Sequence, residues 1–257
     1  MSSHLNVSGR LGRRLTWHQS LHDPKRDPRN RLRWLPELRR WQVERLQTSF
    51  DRFLRDPKRR PAAEFFLTDL YGDRDFARRD ADIARVLPMM QRLLPKALLE
   101  TVTDAIELGA LTHAFDLRMA ALLQRLAPRR RRLDEALYAR AYREAGLPRL
   151  RARQIELIAR VGRGLGYALR SAGVSTMLAL SRGPARIAGF SELQEFLERG
   201  FAAYATVGDI DGFIAEIEAD EREAARRLFA GMADPFAAAS SQKPHASASR
   251  SARRGRA

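Results

Sequence analysis

Residues 96–127, bounded by Pro95 and Pro128, constrain this chain most, because they read as one long helix that is apolar on two sides. Leu98, Val102, Ile106, Gly109, His113 and Leu117 recur at intervals of three and four; Leu108, Leu111, Phe115, Met119, Leu122 and Leu126 make a second stripe. Such spacing lines one face of an α-helix, whereas a half-buried strand alternates every second residue. A single stripe needs one neighbour. Two stripes need neighbours on both sides, so this helix is expected at the centre of a bundle.

The flanking segments repeat the pattern with helix punctuation. Pro36 suits a first turn, and Leu35, Leu38, Trp41, Leu46, Phe50 and Phe53 follow at helical spacing to about residue 55. Pro61 opens another helix. Asp134 is placed to cap one that runs through Leu137, Tyr138, Ala141 and Tyr142 to Gly146, and residues 149–171 keep Ile155, Ile158, Val161, Leu165 and Leu169 in register. Ser191 and Gln194 have capping-box spacing, and Asp209 or Asp211 begins a last helix that Gly231 ends. No strand-like alternation interrupts the series. The expected fold is all-α, a single compact bundle of about eight or nine helices over residues 31–232. Residues 1–30, polar and holding Asp-Pro at 23–24 and 27–28, read as a flexible basic arm, and residues 233–257, rich in Ala, Ser and Arg, as a disordered tail.

Composition narrows the function classes. The chain has no cysteine, which removes disulfides, thiolate metal sites and cysteine nucleophiles, and fits a reducing cytoplasm. No apolar run approaches the ~20 residues of a membrane span, and residues 1–30 lack the apolar core of a secretory signal. The net charge of +16 suggests an anionic partner such as nucleic acid. Two features temper that reading. Lysine occurs only at 25, 58, 96 and 243 among 47 basic residues, an arginine bias that GC-rich coding also produces. Half of the surplus sits in the two ends, since residues 1–30 and 233–257 each carry a net +4.

Few side chains invite chemistry. His113 stands within the helical pattern while His4, His18, His22 and His245 lie in the expected tails, and Asp116 at i+3 could orient its ring. His113 with Asp116 is therefore the one candidate cofactor site, although a hydrogen-bonded core histidine explains it as well. A di-metal bundle would need Glu-x-x-His on two helices, and position 110 is Ala. The aspartates at 69, 73, 75, 80 and 82 miss the spacing of a calcium loop and alternate with arginines, as caps and ion pairs do. Gly162-Arg163-Gly164-Leu165-Gly166 follows no strand, so it reads as a close helix crossing, not a phosphate loop. Three basic groups remain: Lys58–Arg60, Arg149 with Arg151 and Arg153, and Arg129–Arg132. The last is the strongest phosphate-binding candidate, because Arg129, Arg130, Arg131 and Arg132 repel one another unless paired or screened.

The stretch FFLTDLYGDRDFARRDADIARVLPMM, from Phe65 to Met90, and GFSELQEFLERGFAAY, from Gly189 to Tyr204, resemble a family of uncharacterised helical proteins from proteobacteria. The likeness covers roughly residues 61–231. It implies the helical fold and a bacterial cytoplasmic origin and brings no catalytic residue. The expected function is a non-enzymatic helical binding protein with an unidentified protein partner. Nucleic-acid association through the arginine clusters is the first alternative, and a cofactor- or metal-dependent enzyme centred on His113 the second. No cofactor and no metal are expected.

Overall fold

The computed structural model describes residues 2–70, 96–171, 173–180, 182–183 and 191–237. Every regular element among them is helical. The order is α1 (Ser2–His22), a 3₁₀ turn (Pro28–Arg31), α2 (Trp34–Ser49), α3 (Asp51–Arg55), α4 (Arg60–Phe65) and one π-helical turn (Phe66–Leu70). Then follow α5 (Lys96–Leu126), α6 (Glu135–Ala145), α7 (Pro148–Arg170), α8 (Val174–Leu180), α9 (Ser191–Ala205) and α10 (Ile210–Ala230). None of the described helices is long and apolar enough to cross a membrane.

The expected central helix is α5. It packs against α1, α2, α6 and α7, and both of its stripes are used. Leu117, Met119, Ala120 and Leu123 join Trp34, Leu38 and Ala141 in one core, while Leu99 and Ile106 face α1. A second core gathers Phe50, Phe53, Phe66, Ile158, Tyr204 and Phe213, with the Phe53 ring edge-on to Phe213 at 5.0 Å. Aromatic rings prefer such edge contacts because the ring edge is positive and the face negative.

Local signals sit where the sequence put them. The Asp134 carboxylate accepts from Leu137 N–H at 2.9 Å and that of Asp209 from Gly212 N–H at 2.9 Å, satisfying donors that a helix start leaves orphaned. Gly231 closes α10 at φ 67, a left-handed conformation that side chains resist. The glycine run in α7 is a double crossing. A Cβ on Gly162 or Gly166 would run into Ile214 or Ile210 of α10, and one on Gly164 would come within 2.9 Å of Thr101 Cβ in α5.

The ends depart from expectation. Residues 1–30 are not a flexible arm: α1 lies along α5, and Val7, Leu11 and Leu15 are buried against Leu99 and Ile106. The period was present as Val7, Leu11, Leu15, His18 and His22, diluted by polar residues and two glycines. At the other end, Phe236 reaches the rings of Trp41 (5.7 Å) and Tyr138 (5.9 Å), and Arg227 donates to the Ala237 carbonyl at 2.8 Å. The folded unit therefore continues at least to residue 237. The remaining tail, 238–257, lies outside the described residues. Of the aromatic residues in the Phe65–Met90 stretch, Tyr71 and Phe76 also fall outside them, whereas Phe65 and Phe66 are buried.

Candidate functional site

His113 is buried at 3 % exposure on α5, where the bundle brings α1 and the 3₁₀ turn against it. It is not the lone core histidine. Its ring stacks on His22 at 3.8 Å, and His22 stacks on His18 at 4.2 Å. Gly109 makes room for the stack, since a Cβ there would lie 3.0 Å from His18 Nε2. Arg39 Nη2 meets His113 Nδ1 at 3.0 Å; arginine has only donors, so Nδ1 accepts. Nε2 then carries the proton and donates to Asn30 Oδ1 at 2.9 Å, while Asn30 Nδ2 donates to the carbonyls of Leu21 and Asp27. This network fixes one neutral tautomer. Burial, with the charges of His22 and Arg39 adding to it, pushes the His113 pKa from 6.5 down to about 3.

Asp116 does not orient His113 directly. Arg39 stands between them, with Nε 3.8 Å from the Asp116 carboxylate, and Gln42 donates to that carboxylate at 3.2 Å. Burial raises the Asp116 pKa, opposed by Arg39, the Gln42 bond and Arg151. The same polar seam continues along α5. Glu107 bridges Arg14 of α1 (3.2 Å) and Arg153 of α7 (3.3 Å), Asp104 pairs with Arg160 at 2.8 Å, and Thr112 accepts from Gln154 at 2.7 Å. Arg151, itself buried, lies 3.7 Å from the Phe115 ring centre and 4.6 Å from that of Tyr142. Cations are attracted to the negative ring face, which partly replaces lost hydration. Asp104, Glu107 and Asp116 thus meet arginines inside the fold, Arg151 meets rings and the Gln154 side-chain oxygen with its Nη2 left without a hydrogen bond among the described residues, and both His113 nitrogens are engaged. Among the described residues no group of three or more histidine or acidic side chains is arranged to hold a metal.

The sequence's arginine clusters separate in the structure. Arg59 pairs with Glu216 at 2.9 Å, Arg60 donates to the Leu54 carbonyl, Arg151 is interior, and Arg153 is tied to Glu107 and Glu156. Arg129–Arg132 differ. All four are exposed in the α5–α6 connection, and within the run only Arg130 has an acid partner, Asp134, at 2.6 Å. A second segment joins them. Arg33 donates to the Pro128 carbonyl and to Gln124 Oε1 (3.2 Å), and the Glu37 carboxylate accepts from Leu133 N–H at 2.8 Å. The loop is clamped at both ends, with Leu133 buried beneath it. Arg31, Arg33, Arg129, Arg131 and Arg132 form no ion pair with an acid among the described residues, although Arg132 is near enough to Glu37 to help hold that carboxylate's pKa low. The carbonyl end of α5 lends this corner a partial negative charge of about one half, far less than the guanidinium charge gathered there. The contribution of Arg33 was beyond sequence reasoning, because it arises from a contact spanning 95 positions. Asp69 and the other aspartates of the acidic run fall outside the described side chains.

Among the described residues, fold and surfaces define an all-helical domain with ion pairs bridging its helices and an exposed cationic corner between α5 and α6. The chain belongs to the family described as Domain of unknown function (DUF8198), which matches residues 21–235. That span takes in the resemblance drawn from the two motifs and starts at the last turn of α1. No curated protein and no solved structure matches the chain.

Proposed function

We propose that this domain is a non-enzymatic binding protein that presents the corner formed by residues 31–33 and 128–132 to an anionic partner. One observation carries the reading: Arg31, Arg129, Arg131 and Arg132, exposed and drawn from two chain segments, form no ion pair among the described residues and stand about a loop that Arg33 and Glu37 hold in place, whereas many arginines elsewhere are paired with acids. Arg52 meets Glu216 and Asp220, Arg45 meets Glu221, and Arg163 meets Glu218. Surface ion pairs add little stability, so their pattern matters here for the potential they cancel or leave. A proteobacterial cytoplasmic setting belongs to the same proposal and rests on the motif resemblance. Titration calorimetry of the full chain with heparin tests it. Binding should be lost when Arg129, Arg130, Arg131 and Arg132 are all changed to Gln, with the thermal midpoint unchanged; equal binding by that variant would refute the proposal.

A further inference from the structure

We infer that the arginine corner grips the phosphate backbone of double-stranded nucleic acid without reading its sequence, a step that rests on the anionic-partner reading above. Three observations select this partner over an acidic protein. The first is the absence of apolar anchors at the corner. The large exposed apolar side chains of the described residues are Leu147, Leu150, Tyr167, Leu180 and Met232, none within 28–33 or 124–132. Protein interfaces concentrate binding energy in buried aromatic and aliphatic anchors, whereas nucleic-acid interfaces are polar and strongly positive. The second is side-chain chemistry. Four exposed guanidinium forks, Arg31, Arg129, Arg131 and Arg132, and no lysine stand at the corner, and the planar fork matches phosphate oxygens bidentately. The third concerns strand number. Single strands are held largely by bases stacked on aromatic rings, and the tryptophan nearest this corner, Trp34, is 1 % exposed. A duplex offers its phosphates without demanding a stacking platform.

Sequence independence follows from the same geometry. The arginines lie on a connection and a 3₁₀ turn, not along a protruding helix or ribbon that could enter the major groove. The loop is also anchored through Pro128 and Leu133, so the corner meets a backbone with little ordering left to do.

Fluorescence anisotropy with short blunt duplexes of two unrelated sequences, and with polyglutamate as competitor, tests this on the full chain. About four phosphate contacts predict a roughly hundredfold fall in affinity between ~50 and ~200 mM salt, equal for both duplexes. Changing Arg129–Arg132 to Gln should flatten the salt dependence by about three contacts, while changing them to Lys should largely keep it. Unchanged duplex binding in the Gln variant would overturn the inference, because the grip would then lie elsewhere. Corner-dependent binding of polyglutamate without duplex binding would also overturn it, yet would leave the anionic-partner proposal standing. A strong preference for one duplex would refute the claim of sequence independence.

Discussion

Acidification should destabilise the fold through His113, with a size set chiefly by the burial of its ring and increased by His22 and Arg39. In the unfolded chain the imidazole takes its proton near the ordinary value of 6.5, whereas in the fold it resists until about 3. Between those limits the unfolded state binds more protons, so the stability held above pH 6.5 is lost progressively as pH falls. Each pH unit inside that window costs up to about 1.4 kcal/mol. At about pH 4.5 the loss reaches roughly 2–3 kcal/mol, or a fall of some 5–10 °C in thermal midpoint for a domain of this size. Other groups titrate alongside. Asp104 and Asp116 are raised by burial and gain stability on acidification, the opposite sign; Asp27 and Glu37 are held low, Asp27 chiefly by its bond from Arg29 and Glu37 by Arg40 and Leu133 N–H against its own burial, and both lose it. The comparison with His113→Gln isolates the histidine, because the variant keeps those carboxylates and cannot bind the proton. Chemical denaturation of both proteins from pH 7 to about pH 4.5 should show the wild type losing more. Parallel curves, or an NMR titration of folded His113 centred near 6.5, would refute the reasoning.

Four substitutions probe the packing. Gly164→Ala and Gly12→Ala make the same change in helix interiors, and each gains about 1 kcal/mol of helix propensity. Nothing lies within 4 Å of the Gly12 position, so that variant should melt higher, while Gly164→Ala meets Thr101 and should melt lower after about 1–3 kcal/mol of overpacking; a rise for both would disprove the α5–α7 crossing. Leu11→Ala removes a fully buried side chain from α1 and should cost about 2–5 kcal/mol in urea unfolding. No loss would return residues 2–22 to the status of an arm. Phe66→Ala, at an edge contact 6.1 Å from Phe50, should cost about 3–5 kcal/mol, and an unchanged midpoint would mean the ring is not enclosed.

Much of the architecture is legible in the chain itself. Helix periodicity and capping are local, so Pro61, Asp134, Gly146, Asp209 and Gly231 punctuate the structure where they punctuate the sequence. The double stripe on 96–127 likewise names the central helix, because two apolar faces can be buried only between neighbours. The glycine run on 162–166 is a crossing for the same kind of reason, as a missing Cβ matters only where the side chains of a neighbouring helix come close.

What tertiary structure decided is which charges meet. Arg129 and Arg153 are equivalent as text, but one lies on an exposed connection without an acid while the other is bound to Glu107 and Glu156. His18 and His22 look like tail residues until α1 docks and stacks them against His113. The i+3 spacing allows Asp116 to orient His113, but Arg39, distant in sequence, takes the place between them. Periodicity acts over one or two turns and is written in neighbouring residues. Charge pairing joins groups 46 positions apart, as in Arg153 with Glu107, or 176, as in Arg45 with Glu221, and only the packed helices bring them within a few ångströms.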